Sequence, residues 1–313
     1  MRCLLCSVDV GAQPDERSDE HVLGKWVSRR TGNPMMWIAE KKRYYGAIRL
    51  PCCKRCNGGP MREMESSLSE AFDAQDLGAL SAVQGRIWGA WVSKVAYGLL
   101  VSELSSRNVD VDGRVVLPER LNCMRQFALT YRNLFRAYLK AESVPDGVLS
   151  VVPFRTQFDR NQGDVTVFQS DELIGTLVIQ ILGVAVFVSA RDAGYCGGLN
   201  SPYTEAARTL ELNPIQLIEV YCRYVDHMNS RVAAREAHAV ETRDGLEIRC
   251  LGTNLPGPPV RGFLASRLRE KLAPLGFAPG DVLDPPQTWL LDSEGHARHL
   301  PLEATRGKSP HRK

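Results

Sequence analysis

Four cysteines in two Cys-x-x-Cys pairs, Cys3/Cys6 and Cys53/Cys56, fall within the first 56 residues of a 313-residue chain. The apolar residues around them are few: Leu4, Leu5, Val22, Leu23, Trp26, Val27, Trp37, Ile38, Ile48 and Leu50. Burial alone gives a module of this size about 3–5 kcal/mol. Structural zinc supplies on the order of 10–16 kcal/mol of apparent binding energy, so metal can dominate its folding. The pairs predict a closed tetrahedral Zn²⁺ site of four thiolates, structural because no ligand position stays open. Cys52 leaves a question of register. Cys53 is preferred because the two-residue spacing then repeats that of Cys3 and Cys6.

Five of the nine cysteines lie in this segment, which favours metal in a reducing compartment over a disulfide framework spread along a secreted chain. Cys123, Cys196, Cys222 and Cys250 read as small buried hydrophobes. Hydrophobic residues at 44% and charged residues at 24% are those of a soluble globular protein. No run approaches the roughly 18 apolar residues of a membrane helix. The opening Met1-Arg2-Cys3 lacks the apolar core of a signal peptide. A cytoplasmic protein is expected.

The net charge of +3 is unevenly spread. From Lys25 to Arg62 there are ten Lys or Arg against one acid, Glu40, while residues 66 to 302 carry a slight acidic excess. A basic patch beside a metal site points to a polyanion, most commonly nucleic acid. Lys25, Arg29, Arg30, Lys41, Lys42 and Arg43 form the expected backbone clamp, and Arg43-Tyr44-Tyr45 interleaves charge with rings that can stack.

Along the chain, Val22 to Arg30 predicts a short helix broken by Thr31-Gly32-Asn33-Pro34. Residues 35 to 50 are ambiguous, with 43–45 and 47–50 readable as two strands turning at Gly46. A helix should start near Pro60. Apolar spacing predicts long amphipathic helices over 84–105 and 118–141. Runs at 148–152, 165–168, 177–181 and 184–188 predict a mostly antiparallel sheet of about four strands. Helix is expected over 214–238, capped by Asn213, and again over 260–271, with strands at 246–251 and 289–291. The class is α+β, divided as a small module at 1–72, a larger mixed α+β domain at 73–302 and a basic, disordered tail at 303–313.

Between the cysteine pairs stands Ser18-Asp19-Glu20-His21-Val22-Leu23, and Asn57 touches the second pair. Alone, His21 reads as structural or exposed; the neighbouring carboxylate, the flanking pairs and the basic strip change that. Cys-x-x-Cys, then Glu-His, then Cys-x-x-Cys-Asn with a downstream Glu65 resembles the HNH endonuclease superfamily, in its zinc-bound branch ending in Asn. The resemblance covers about residues 3 to 65. It implies a treble-clef (ββα-metal) fold: a knuckle, a β-hairpin bearing the catalytic His, then a helix leaving the second knuckle.

The resemblance further implies that His21 is the general base, that Asn57 is a ligand of a catalytic Mg²⁺ or Mn²⁺, and that Glu20 helps hold that ion. Glu65 reads as a metal ligand, a salt-bridge partner or a surface acid. An imidazole titrates near neutrality, as a water-activating base should, and carboxylate and amide oxygens are hard ligands for a divalent ion. Two positions depart from the pattern. The central Asn that orients the His loop has no match in residues 44 to 52, so a backbone carbonyl or another side chain must serve, and position 24 is Gly.

Residues 66 to 313 hold no nucleotide-binding Gly loop and no nucleophile context. His227 and His238 are expected on one helix, too far apart to share a metal. Residues 73–302 are read as a recognition or oligomerisation domain, through a partner protein or a second copy. The leading expectation is a metal-dependent HNH endonuclease hydrolysing DNA by nicking or double-strand cleavage, with anti-phage defence as a context that the family suggests. The alternatives are a non-catalytic zinc module binding nucleic acid or protein, and an RNA endonuclease.

Overall fold

The computed structural model describes residues 2–301 apart from 13–15, 32–34, 39–40, 114, 143, 146, 159–167, 172–174, 230–232, 243–244, 255–262, 274–276, 279–280 and 283–287. The expected tail at 303–313 lies outside the described residues. The first strand, β1 (Arg17–His21), leads through a short turn into α1 (Lys25–Thr31). Two short strands follow, β2 (Met35–Ile38) and β3 (Lys41–Tyr44), then β4 (Arg49–Cys53).

β3 and β4 are not a hairpin about Gly46: β3 pairs with β2, and β4 pairs antiparallel with β1, Arg17 opposite Cys53 and His21 opposite Arg49. Closure of the cysteine cluster explains the difference. It requires the two pairs to meet, and a local hairpin does not bring Cys53 to Cys3. From β4 the chain runs into the single turn α2 (Lys54–Cys56), a wide turn at Asn57–Met61, and α3 (Arg62–Asp73). Pro60 sits in the wide turn, two residues ahead of the regular helix, and Gly59 holds the kink with φ −106° and ψ −107°.

After α4 (Leu77–Ala82), capped by Asp76, come two 22-residue helices, α5 (Gly85–Ser106) and α6 (Glu119–Lys140). Their bounds follow the apolar spacing closely. α5 is buried around most of its circumference, including Lys94. A helix apolar on all sides belongs inside a core, and α5 lies between the cysteine module and the sheet.

That sheet comprises β5 (Ser150–Thr156), β6 (Phe168–Asp171), β7 (Thr176–Ile181) and β8 (Val184–Ser189); α7 (Pro202–Thr209) then leads to a short fifth strand, β9 (Glu211–Leu212). The order is β6-β7-β8-β5-β9, antiparallel except for β5 beside β9. Every residue of β7 and β8 is buried, because both faces are covered. Leu177, Ile179, Val186 and Val188 join the core shared with α5 and α6, while Val178, Ala185 and Phe187 join a second core with α8 (Pro214–Asn229).

Asn213 caps α8 reciprocally with Gln216: its Oδ1 accepts from Gln216 N at 2.9 Å, and its own N donates to Gln216 Oε1 at 3.2 Å. α8 ends at Asn229, not near residue 238. Residues 233–242 form β10 (Ala233–Thr242), paired antiparallel with β11 (Gly245–Asn254). His238 therefore sits on a strand, and His227 alone on the helix. A ten-residue antiparallel ladder outweighs the helix propensity of Ala-Ala-Arg-Glu-Ala. The last helix is α9 (Phe263–Leu272). Residues 289–291 make only an isolated bridge, Leu291 to Ala297, in place of the expected strand. Of the four scattered cysteines, Cys196 and Cys222 are buried, Cys250 is half-buried and Cys123 is exposed on α6.

The whole is mixed α+β. The module's buried apolar residues among those described, from Leu4 to Phe72, belong to the same cluster as α5 and α6. Four rings tie α1 and α3 to α5: Trp26 lies 5.5 Å from Phe72 and 5.9 Å from Trp91, and Trp88 lies 6.1 Å from each of Phe72 and Trp91. No helix among the described residues is long and apolar enough to cross a membrane.

Candidate functional site

The sulfurs of Cys3, Cys6, Cys53 and Cys56 all lie within 4.8 Å of one another. Among the described residues this is the one such grouping of His, Cys, Asp or Glu. Thiolates about 2.3 Å from a tetrahedral ion sit roughly 3.8 Å apart, and Cys6 Sγ and Cys53 Sγ are 3.8 Å apart. The four residues fit a zinc-sized ion. Cys52 stays outside the set and lies against it, its sulfur 3.9 Å from Cys3 Sγ and 3.6 Å from Met61 Sδ. The Cys52 hydrogen bond holds the Cys3 thiol down at about 3, and the Cys52 thiol is pushed well above its ordinary range. α6 clasps the first pair from outside: Arg136 donates to Leu4 O at 2.9 Å and to Ser7 Oγ.

β1 carries the residues of the motif towards a cleft of about 680 Å³ lined by Glu20, His21, Asn57 and Glu65. His21 is half-buried, and its Nδ1 lies 2.8 Å from the carbonyl of Gly46. A carbonyl only accepts, so Nδ1 carries a proton, and in the neutral ring Nε2 is the nitrogen that keeps a lone pair. Gly46 thus supplies, through its backbone, the orienting contact for which the sequence holds no asparagine. Asn57 Nδ2 donates to Ser18 Oγ at 2.6 Å. That commits the donor end of the amide to β1, and Oδ1 has no hydrogen bond among the described residues.

Sequence reasoning missed the group buried behind two of the cleft's carboxylates, Glu20 and Glu65. Lys94, on α5, is fully buried; its Nζ reaches Glu20 Oε1 at 2.5 Å, Glu65 Oε1 at 2.5 Å and the carbonyl of His21 at 3.1 Å. The other oxygen of Glu65 accepts from the indole N–H of Trp26. Burial pushes the Glu65 carboxyl up, against the pull of the Lys94 charge. Burial also pulls the Lys94 ammonium down, but Glu65 and Glu20 outweigh it and hold the ammonium above its ordinary value. The available signal was a lone lysine in the apolar run from Ile87 to Val101. Gly24 is explained here too: a Cβ would sit 1.7 Å from Glu65 Oε2.

The basic strip divides. Lys25 and Arg29 are exposed and line the cleft. Lys54 and Arg62, beside the second cysteine pair, line it as well, though they were not in the strip read from the sequence. Arg30 is turned to structure: it pairs with Asp73 at 2.5 Å, bonds Ser69 Oγ and lies over the Trp26 ring. Arg43 and Tyr44 are exposed on β3 and are not among the cleft residues. Lys41 and Lys42 belong to the same strand, and their side chains, like that of Tyr45, lie outside the described residues.

No family model matches the chain, and no curated protein or solved structure matches it either.

Proposed function

We propose that the chain is a zinc-stabilised, Mg²⁺- or Mn²⁺-dependent endonuclease of the HNH type that hydrolyses phosphodiester bonds of DNA. The observation that carries this reading is the convergence of His21, with Nδ1 held on the Gly46 carbonyl, Asn57, with its amide oxygen available, and Glu20 on one cleft rimmed by Lys25, Arg29, Lys54 and Arg62. The order of cysteine pair, β1 with β4, second pair and helix supports the same reading, since a treble clef would run in that order.

Each residue has a task in such a reaction. The four cysteines fold the module around zinc. The cationic rim draws the phosphate backbone in and positions it. Asn57 Oδ1 and the second oxygen of Glu20 are hard donors suited to a divalent ion, which when bound stabilises charge on the phosphate and the leaving oxygen. His21 Nε2 takes a proton from the attacking water, while Nδ1, fixed on the Gly46 carbonyl, keeps the ring in the tautomer that can do so.

Supercoiled plasmid incubated with the protein and Mn²⁺ or Mg²⁺ tests the proposal. Wild-type protein should convert it to nicked and linear forms, and His21→Ala should lower the rate by about 10²–10⁴-fold, the usual worth of a general base. Retardation of the plasmid by both proteins without cutting would replace catalysis with a binding module. Cutting of single-stranded RNA in preference to plasmid would change the substrate class.

A further inference from the structure

We infer that Lys94 is a positioning residue of the cleft: it takes Glu65 out of reach of a divalent ion and leaves Glu20 a single carboxylate oxygen to offer one. This rests on the metal-dependent reading above and adds to it a residue from α5, outside the cysteine module. An ammonium has three N–H donors, and Lys94 has three acceptors: Glu20 Oε1, Glu65 Oε1 and His21 O. Glu65 is spent on both sides, Oε1 on Lys94 and Oε2 on the Trp26 indole. Gly24 presses against that carboxylate with no Cβ and lets it lie there.

Glu20 differs. Its Oε2 has no hydrogen bond among the described residues, and the side chain borders the cleft that Asn57 also borders. An ion in that cleft would meet one carboxylate oxygen and one amide oxygen, with water and phosphate completing its shell. That is the habit of Mg²⁺, which binds through about one or two carboxylates and keeps several waters. Charge counting leads the same way. Two carboxylates around one ammonium leave a net charge of −1, enough to attract a cation to the open oxygen without admitting it between the acids. With Lys94 removed, the two carboxylates face a shared space with no cation in it, and that space becomes a second site.

The test titrates the full-length, zinc-loaded chain with Mn²⁺ and follows the free ion by electron paramagnetic resonance. Wild type should bind about one Mn²⁺, with Asn57→Ala weakening it. Lys94→Met should bind a second ion, or bind the first about tenfold more tightly, because ligand charge count sets affinity. Lys94→Met with Glu65→Gln restores the net charge and should return binding to the wild-type value. Zinc content and far-ultraviolet circular dichroism establish that each variant is folded. If Lys94→Met alone does not fold, the double variant decides: folded, with wild-type Mn²⁺ binding, it supports the inference, and folded without Mn²⁺ binding it overturns it. Wild-type binding left unchanged in a folded Lys94→Met also overturns it, while the nuclease reading stands. A wild-type chain that binds no Mn²⁺ removes the metal-dependent reading and this inference together.

Discussion

Cys52 and Cys53 show how much one position matters. Adjacent strand residues project to opposite faces, so the two thiols at the end of β4 cannot serve interchangeably in one tetrahedron. The spacing argument favours Cys53, and the sulfur of Cys53 is the one that lies with those of Cys3, Cys6 and Cys56. Cys52 has a different role, as a fully buried thiol against the Cys3 sulfur. The two substitutions should therefore part company. Cys53→Ser should lose the roughly one zinc per chain expected of such a site. Cys52→Ser should keep it but surrender it to a competing chelator more readily, since outer partners of metal ligands are worth about 10–100-fold in affinity. Elemental analysis after gel filtration, followed by a chelator competition, reads both. Equal zinc loss in the two variants would place Cys52 among the ligands.

At the scale of elements, the helices were the most legible part of the sequence. Apolar residues at three- and four-residue spacing marked α5 and α6 almost to the residue, because burial of a helix leaves its period in the chain. Strands β7 and β8 were legible as β-branched runs. Pairing was not: β4 joins β1, nearly thirty residues away, because the cysteine cluster sets that contact and nothing local to β4 records it. The motif residues His21, Glu20 and Asn57 were legible, whereas Lys94 was hidden, since a lysine in an apolar helix announces neither its burial nor its partners. Gly98 on the same helix was equally silent. A Cβ there would lie 2.2 Å from Cγ2 of Val22, so α5 meets the segment after His21 at a glycine because only a glycine fits. Gly98→Ala should gain about 1 kcal/mol of helix propensity and lose about 1–3 kcal/mol to overpacking. The clash wins. The variant should unfold at lower urea than wild type with an unchanged slope, and a stabilised Gly98→Ala would show that Val22 gives way freely.

Across the whole molecule, the sheet of β5 to β9 separates two cores, and the metal site belongs to only one. The cysteine module, α5, α6 and one face of the sheet share the first; α7, α8, α9 and the opposite face share the second. Structural zinc contributes on the order of 10–16 kcal/mol in small modules, as much as the roughly 5–15 kcal/mol that holds a typical domain together. Removing it should therefore undo whatever depends on the module, and the question is how far the loss spreads. β1, β4 and α3 have the cluster at their junction and should open. α5 has Trp88 on Phe72, Trp91 on Trp26 and Lys94 on Glu20 along one side, and should lose protection along that side. Among the described residues the core around α8 holds no residue of the module, and with β7 and β8 it should hold. Hydrogen exchange after chelation should show fast amides in residues 17–21, 49–53 and 62–73 and retained protection in 214–229, and thermal unfolding should divide into two steps. Loss of protection in α8 together with the module would mean that the sheet transmits the damage and that the two cores fold as one.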